Sequence, residues 1–436
     1  MIISNSNHLN KKSLSEWFAT GFFFNQQSIS HDTEDFIGYN APTIKWHYSP
    51  QYSTFDDTLK KFSKLFEELI NRKIEGHKII LPLSGGLDSR TLAAALIGKK
   101  NVTAYSYEFV DGIKETEYAR KIAEVCDWDF HAFKIPRSYL WNKIDALSDI
   151  NQCQTEFTHP RQMAVMNKIS HLGDLLLSGS MGDLLFDSFN LPFNSDLDKQ
   201  SEYLFRLITK AGGMEIASRL WEVWHMDNIF SKYLYNRIKN MLREIDIDHP
   251  SSRIRSFKAM YYVKNWTNIN MKVFSHFNDV YAPYHDNEMC EFVCRIPEDI
   301  LSARKLQIEY IKNKSPELAR IPWQHYDLDL FNYQKFNGQY FPRRIFRFIK
   351  RQLKHNIFKY SPFIERNWEL QFLGQENEKY LKYWLFENPA MNDLIPKNII
   401  DDFYNKFIEI DPVKYSHTIS MLVTLSVWCK RFWKKN

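Results

Sequence analysis

The residues with the clearest capacity for chemistry form one short segment rich in glycine and serine. Its members are, in chain order, Leu83, Ser84, Gly85, Gly86, Leu87, Asp88 and Ser89. Two adjacent glycines let the backbone approach a ligand closely, and the backbone N–H groups at the start of a helix favour a phosphate or pyrophosphate. A carboxylate beside such an anion indicates a Mg²⁺ ion between the two. The segment therefore predicts a phosphate site with Asp88 on the metal, and it is not a Walker A loop, because GxxxxGK[ST] is absent.

The elements that must position this segment alternate between strands and helices. Predicted strands are His77–Leu83, Val102–Phe109 and one that ends at Leu175–Ser178, and predicted helices are Thr54–Asn71, Arg90–Ile97 and Glu115–Val125. Such alternation predicts a parallel, doubly wound α/β domain. The glycine- and serine-rich segment would then lie at the carboxyl edge of the sheet, where ligands bind.

The SGGLDS string, Ser84–Ser89, resembles the pyrophosphate-loop signature of the N-type ATP pyrophosphatases. In form and context it is similar to the synthetase domain of the asparagine synthetase family. That family uses ATP to adenylate a carboxylate, releases pyrophosphate, and lets an amine displace AMP. The resemblance implies a PP-loop α/β fold, like that of the adenine-nucleotide α-hydrolases, with a mostly helical C-terminal region. It also implies ATP and Mg²⁺ as cofactors.

Other segments agree with this resemblance. Ala104–Phe109 resembles the family strand whose backbone contacts adenine, which implies a nucleotide contact at Ser106, and Glu117–Ala123 is similar to the helix that follows. Tyr281–Asp286 is similar to the family's RxPFLD and would shape the acceptor side or pack the helical region.

The second glycine-bearing segment, Leu177–Phe186, resembles the family's SGxGxDExF loop. The resemblance implies that Gly179 and Ser180 belong to the nucleotide site. It also implies that Asp183 is the second carboxylate on Mg²⁺, facing Asp88.

The chain departs from the family at three points. Residue 2 is Ile2 rather than a nucleophilic cysteine, and no cysteine occurs before Cys126, so we expect the glutaminase half to be missing. In the second loop, Ser180 stands where the family has an acidic residue, and Leu184 stands where the family has the Glu after the Asp. Ser cannot act as a base at neutral pH. The hypothesis of asparagine synthesis is therefore weakened more than the hypothesis that the chain activates a carboxylate with ATP.

The third departure concerns the family's late lysine, which stabilises charge on the leaving pyrophosphate. Tyr333–Phe336 resembles the family's RQK segment, so Lys335 is the first choice for this catalytic role and Lys305 the second. A solvated surface lysine remains the alternative for each.

Further candidates rest on position alone. His159 and Arg161 precede the third strand and could contact an anionic substrate, or belong to an ordinary loop; Asn268, Asn270 and Lys272 could line an acceptor pocket. The segment 342–360 holds seven Lys or Arg and no acid, with apolar residues on one helical face. It predicts either a peripheral contact with an anionic membrane or acidic partner, or a surface helix packed on the domain.

Composition sets the outer limits. The chain has 436 residues and a net charge of +5, which is too small an excess to predict nucleic-acid binding. The five cysteines are odd in number and sparse, so buried thiols are expected rather than disulfides or a metal site. With no signal peptide evident, a cytoplasmic location is the default, with the inner face of the membrane as a peripheral site. The C-terminal stretch from residue 420 predicts a core helix with a solvated end.

We expect three regions: an N-terminal connector over 1–60, an ATP-binding synthetase domain over 61–330, and a helical extension over 331–436. The expected activity is ATP-dependent amidation of a small-molecule carboxylate by free ammonia, ammonia from a separate glutaminase, or an amine on the substrate. Amidation of a sugar uronic acid for surface polysaccharide is the leading hypothesis. The alternatives are a peptide or lactam cyclase and a non-catalytic nucleotide-binding or scaffold relative.

Overall fold

A computed structural model describes residues 10–24, 42–187, 189, 191–337 and 371–433. The basic segment 342–360, for which a membrane or partner contact is predicted, lies outside the described residues. In the described part of the chain no helix is both long enough and apolar enough to cross a lipid bilayer.

Five parallel strands form one sheet. In chain order they are β1 Ile79–Pro82, β2 Val102–Phe109, β3 Asp129–Ile135, β4 Leu175–Leu177 and β5 Asp279–Tyr281. Their spatial order is β3-β2-β1-β4-β5, so the chain leaves β1 in one direction and later returns to its other side. This confirms the predicted doubly wound α/β fold, and it places the end of β1 at the switch point of strand order, where α/β proteins bind ligands.

The two edge strands were not predicted from the sequence. β3 is largely exposed or half-buried, and β5 has only three residues, none of them buried. Neither strand therefore carries the continuous apolar run that identifies a central strand of a parallel sheet.

Twenty α-helices surround the sheet in the described residues. The first eleven are α1 Lys11–Thr20, α2 Phe55–Ile74, α3 Leu87–Leu96, α4 Thr116–Val125, α5 Ile144–Asn151, α6 Met166–Ile169, α7 Gly182–Phe186, α8 Leu197–Ile208, α9 Ala211–Val223, α10 Phe230–Arg243 and α11 Pro250–Phe257. The others are α12 Asn268–Ser275, α13 Asn287–Cys294, α14 Glu298–Leu301, α15 Lys305–Lys314, α16 Pro316–Arg320, α17 Gln375–Phe386, α18 Pro389–Asn392, α19 Lys397–Asn405 and α20 Pro412–Arg431. A π-helical stretch, Lys258–Thr267, joins α11 to α12.

The sheet separates two apolar cores. Ile80 and Leu176 belong to the first core, whereas Ile79, Leu81 and Leu177 belong to the second. This division follows from the strand geometry, because successive side chains point to opposite faces. Helices α2, α3, α4 and α13 to α16 cover the second core, and α1, α5, α8 to α12 and α17 to α20 cover the first.

The C-terminal helices pack against the same core as the sheet. Helix α20 is buried along most of its length, which confirms the expected core helix, and its exposed Lys430 lies in the last turn. Buried hydrogen bonds join the C-terminal part to the region after β3. Tyr139 Oη donates to Gln371 Oε1 at 2.8 Å, Gln371 Nε2 donates to Thr158 O at 3.0 Å, and Trp141 Nε1 donates to Asn377 Oδ1 at 2.8 Å. The division into three regions stays a prediction. These hydrogen bonds join residues on the two sides of its second boundary, at residue 330.

Candidate active site

The first glycine-bearing loop connects β1 to α3. Gly86 precedes the helix in an extended conformation, so the backbone N–H groups of the first turn of α3 lie next to the loop. Ser84 N donates to Ser89 Oγ at 3.1 Å, Gly86 N donates to Ser84 Oγ at 3.2 Å, and the two hydroxyls are 3.2 Å apart. The loop thus holds a closed set of short-range donors that an anion could engage in place of the serine oxygens.

A distant segment lies directly on this loop. Gln324 N donates to Gly85 O at 3.1 Å, and a side chain at Gly85 would meet Gln324 Cβ at 2.6 Å. The fully buried Arg90 of α3 holds the segment in place, donating to Ile321 O at 2.7 Å and to Pro322 O at 2.8 Å. Burial lowers the pKa of Arg90 to about 10, so it stays charged at neutral pH. Position 85 therefore requires glycine, because the segment 321–324 lies too close to the loop to leave space for a side chain there.

The second glycine-bearing loop follows β4 and contacts the first. A Cβ atom at Gly179 would lie 3.1 Å from Asp88 Cβ, and one at Gly182 would lie 2.6 Å from Asp88 Cγ. Met181 between them has a positive φ of 76°, which turns the chain into α7. The structure therefore brings together the two loops that the sequence analysis treated as one site, and the close approach explains both glycines.

Asp88 lies at the centre of a polar network. Its Oδ1 accepts from the Arg304 guanidinium and from Gln307 Nε2 at 3.0 Å, and Gln307 Nε2 is also 2.9 Å from Tyr284 Oη. Burial raises the pKa of Asp88 to about 6; the Arg304 charge opposes this rise, and the Asp183 charge adds to it. The two carboxylates thus repel each other across the two loops, which a divalent cation would relieve.

The donor set fits a magnesium ion shared with a nucleotide. No group of three or more His, Cys, Asp or Glu side chains could hold a metal within the described residues, so an all-protein cage is absent there. Mg²⁺ commonly needs only one or two carboxylates, with phosphates and water completing its coordination. Asp88 and Asp183 would supply those carboxylates, and the loop beside them would supply the phosphate contacts.

A cavity of about 360 Å³ opens at the carboxyl ends of β1, β2 and β4. Of the predicted nucleotide-site residues, its walls include Leu83, Ser84, Asp88, Ser89, Ser106, Gly179 and Ser180. Gly85, Gly86 and Leu87 belong to the same loop but do not line the cavity, and Asp183, in the first turn of α7, does not line it either.

One wall of the cavity carries candidates that the sequence analysis named. The His159 and Trp266 rings are 4.0 Å apart, and Trp266 Nε1 donates to the buried Glu156 at 3.3 Å. Burial, assisted by the charges of Arg161 and Lys210, lowers the pKa of His159 well below its usual range. His159 is therefore neutral at this wall.

Asn270 lines the same wall, but the other two predicted acceptor-side residues do not. Asn270 Nδ2 donates to Trp266 O at 3.0 Å, and its Oδ1 accepts from Thr155 Oγ1 at 3.2 Å. Asn268 and Lys272 are outside the cavity lining. Burial lowers the pKa of Lys272.

The two lysines predicted for the pyrophosphate role lie on the surface. Lys335 is exposed, and its Nζ donates to Asn332 Oδ1 at 2.7 Å; Lys305 is exposed and donates to Asp299 O at 3.4 Å. Neither lines the cavity. The catalytic role of Lys335 stays a prediction that this arrangement does not support.

The structure shows a different lysine near Asp183. Lys258, in the π-helical stretch, lies over the Tyr262 ring at 5.3 Å and over the Phe189 ring at 5.7 Å. Burial lowers the pKa of Lys258, and the charge of Asp183 opposes that shift. The local signal for Lys258 is weak: it lies eight residues before the WTNINMKVF stretch. A π-helical stretch has no distinctive sequence pattern of its own.

Glu115 is the second residue that sequence reasoning missed. It lines the cavity, Gln324 hydrogen-bonds to its side chain, and the charge of Arg161 opposes the rise in the pKa of Glu115 caused by burial. Arg161 also hydrogen-bonds to the Tyr107 hydroxyl. Arg161 therefore engages two groups beside the cavity, and it is not one of the cavity-lining residues.

Ser180, which replaces an acidic residue of the family pattern, is paired with a histidine. Ser180 Oγ lies 3.3 Å from His285 Nε2, and His285 belongs to the Tyr281–Asp286 segment. Burial lowers the pKa of His285 to about 3, so this imidazole is neutral at neutral pH. The position thus presents a neutral hydroxyl to the cavity in place of a carboxylate, and the His285 imidazole lies behind that hydroxyl, outside the cavity lining.

Comparison with known proteins gives one family and one structural likeness. A family model described as asparagine synthase matches residues 61–307, more than half of the chain. Among solved structures, that of NMN synthetase from Francisella tularensis is 14% identical, with a TM-score of 0.24; the match covers 47% of this chain and 93% of that one. The curated proteins include no match. The family match spans both glycine-bearing loops and ends at Gln307.

Proposed function

Because the chain belongs to the asparagine synthase family, a family of ATP-dependent amidating ligases, we propose that it adenylates a substrate carboxylate with ATP. Pyrophosphate leaves in this first step, and ammonia or an amine then displaces AMP to form an amide. The observation that supports this most is the meeting of Asp88, Asp183 and the phosphate-type loop at the carboxyl edge of one sheet.

The first step needs orientation and charge neutralisation more than it needs a base. A carboxylate oxygen attacks the α-phosphorus while the bond to the β-phosphate breaks, so negative charge grows on the pyrophosphate. Ser84, Ser89 and the backbone at the start of α3 would hold the phosphates. Mg²⁺, held by Asp88 and Asp183, would neutralise the charge on the leaving pyrophosphate.

The second step takes place at the acyl carbon. The attacking nitrogen must be neutral, and it loses a proton as the amide forms and AMP departs. Ser180, whose hydroxyl contacts His285, and the neutral His159 are two hydrogen-bonding groups of the cavity lining that would contact the amine. A carboxylate base at the Ser180 position is not part of this mechanism.

The amine donor is proposed to be ammonia or an amine on the substrate rather than glutamine hydrolysed by these residues. All five cysteines are buried, and burial raises the pKa of each, so none is a ready thiolate nucleophile. A separate glutaminase could supply the ammonia. Comparing ammonium chloride with glutamine as donor tests this, because glutamine alone should give no amide.

The proposed carboxylate is a sugar uronic acid. The cavity presents uncharged hydrogen-bonding side chains, Ser106, Ser180 and Asn270, beside the Trp266 ring. Such a wall suits a hydroxyl-rich substrate with an apolar ring face. A peptide or lactam substrate is the second candidate, because an internal amine would remove the need for an ammonia source.

A peripheral location at an anionic membrane is a further part of this proposal. Its support is the charge of the segment 342–360, with seven basic residues and no acid. Sedimentation with anionic and neutral vesicles tests it, and equal sedimentation with both would argue against it.

The experiment is a pyrophosphate-release assay with ATP, Mg²⁺ and a panel of uronic acids and amino-acid-derived acids. We expect one acid class to elicit both AMP and pyrophosphate. Asp88→Asn should lower the rate by about 100-fold or more, because it removes a charge next to the phosphates. Asp127→Asn, on the surface beside Lys100, is the matched control and should keep full activity.

Two results would count against the proposal. If no acid elicits AMP and pyrophosphate together, the ligase assignment fails. If calorimetry then shows tight ATP binding without turnover, the non-catalytic alternative is favoured.

A further inference from the structure

The Arg304 guanidinium contacts Asp88 Oδ1, an oxygen atom that would bind the metal ion. Its guanidinium donates to Asp88 Oδ1, and the same oxygen accepts from Gln307 Nε2. Arg304 Nε donates to Gln307 Oε1 at 2.9 Å, so the two donors are themselves joined. The Arg304 and Asp88 side chains are 12% and 25% exposed, which places the ion pair in a partly desolvated environment.

The backbone around Arg304 is built to hold this contact. Ala303 and Arg304 have φ values of 57° and 59°, two consecutive left-handed residues that are not glycine. This conformation is unfavourable for residues other than glycine. The strained pair lies immediately before α15, the helix that carries Gln307 and packs against α3. The fold therefore maintains a strained turn that places a cation against Asp88.

We infer that Arg304 is a resident counter-ion that competes with the divalent metal for Asp88 and becomes a phosphate ligand when the nucleotide arrives. This inference deepens the proposed function and rests on its metal site. A guanidinium stays protonated, so it leaves Asp88 only when another anion takes its place. The triphosphate supplies that anion and brings the metal that replaces Arg304 on the carboxylate.

The exchange keeps Asp88 paired with a cation at each stage. Before nucleotide binding, Arg304 neutralises Asp88 without a metal. Afterwards, the metal neutralises Asp88 and Asp183, and Arg304 faces the phosphates beside Ser84 and Ser89. Guanidinium groups bind both carboxylates and phosphates, often in a bidentate manner, so the phosphates offer Arg304 a replacement for its contact with Asp88. The metal should consequently bind weakly alone and tightly together with a nucleotide.

The test measures Mn²⁺ binding in the absence of nucleotide, from the electron paramagnetic resonance signal of free Mn²⁺. For Arg304→Gln we expect Mn²⁺ affinity to increase on the order of tenfold, because a competing charge at contact distance is removed. Loss of structure would weaken Mn²⁺ binding, so an increase cannot come from a merely structural effect. Arg295→Gln, at an exposed pair with Glu291, is the control and should leave the affinity unchanged.

A second variant controls for the left-handed backbone conformation at position 304. Arg304→Asn also removes the charge, and asparagine tolerates the left-handed region better than most residues. It should show the same increase, and both variants should bind inorganic pyrophosphate more weakly than the natural chain. Unchanged or weaker Mn²⁺ binding in a folded variant would overturn the inference.

The two proposals fail separately. Pyrophosphate release by the natural chain, with no Mn²⁺ effect in either variant, would overturn the role of Arg304 and leave the ligase function in place. A clear Mn²⁺ effect with no acid that elicits pyrophosphate would do the reverse.

Discussion

At the residue scale, the space around Asp88 explains most of the pattern in the two loops. Gly179 and Gly182 are required because Asp88 occupies the volume where their side chains would be. Gly85 is required for a different reason, the approach of Gln324 from above. Two of these glycines thus make room for Asp88, and the third makes room for Gln324.

The first prediction follows from this crowding. In Gly182→Ala the new methyl group would collide with the Asp88 carboxylate and displace it from its present position. We expect pyrophosphate release to fall by about 100-fold, with a loss of stability of about 1–3 kcal/mol typical of overpacking. Urea denaturation and the release assay measure the two effects.

The matched comparison is Gly86→Ala, where a Cβ atom would meet only Ser84 Oγ, at 3.3 Å. This variant should remain close to the natural chain in stability. Equal pyrophosphate release by Gly182→Ala and the natural chain would show that the Asp88 position does not matter for the reaction.

At the element scale, helix α20 joins the N-terminal helix to the rest of the first core. His417 on α20 is buried, and its Nε2 is 3.0 Å from Phe18 O of α1, so Nε2 carries the hydrogen and donates. A Cβ atom at Gly213 of α9 would collide with Phe18 O and lie 3.1 Å from His417 Cδ2. Three helices therefore meet at one hydrogen bond with no space between them.

The second prediction concerns acid stability. Burial lowers the pKa of His417 to about 4, whereas an unfolded histidine has a pKa near 6.5. The unfolded chain therefore binds more protons between these values, so the free energy of unfolding decreases as pH falls from about 6.5 to about 4. His417 alone would account for about 3 kcal/mol of that decrease.

Denaturant titrations of His417→Gln over this pH range check the prediction. Glutamine keeps an N–H donor for Phe18 O but does not titrate, so stability should vary less with pH. His285 contributes a similar slope, since burial lowers its pKa to about 3, so some pH dependence should remain. The exposed His171→Gln is the control, and an unaltered slope in His417→Gln would contradict the assignment.

At the scale of the whole molecule, the two faces of the sheet are finished by different parts of the chain. The buried residues of the second core lie within residues 59–330, whereas those of the first core extend from Leu14 to Cys429. Residues from α17 to α20 thus cover the face of the sheet opposite the face on which α3 packs. The C-terminal part therefore completes the core on one face of the sheet that carries the two glycine-bearing loops.

The third prediction tests this dependence. A chain that ends at residue 330, the predicted limit of the synthetase domain, would expose the apolar side chains that pack against α17 and α20. We expect it to be insoluble or to bind a hydrophobic dye and unfold without cooperativity. Co-expression of residues 371–433 as a separate chain should restore part of the soluble yield.

A cooperative unfolding transition in the shortened chain would contradict this expectation. It would also favour the division at residue 330 that the sequence predicted.

Much of the fold and part of the site could be predicted from local patterns. Apolar runs identified β1, β2 and β4, and helical spacing identified α2 to α4 within a few residues of their ends. The edge strands β3 and β5 escaped detection because half-exposed or very short strands lack a continuous apolar run. Lys335 was assigned from a short string alone, and in the structure its side chain lies on the surface.

What the sequence by itself determined is the set of residues in the two loops: the glycines, the serines, Asp88 and Asp183. Within each loop the residues are close together in the sequence, and their order is recognisable without any distant partner. Only the tertiary structure decided which groups surround them. Arg304 meets Asp88 across 216 residues of sequence, and Gln324 and Lys258 approach from other elements. Such contacts depend on how helices pack on the two faces of the sheet, and packing arises from the whole set of apolar surfaces rather than from any local string.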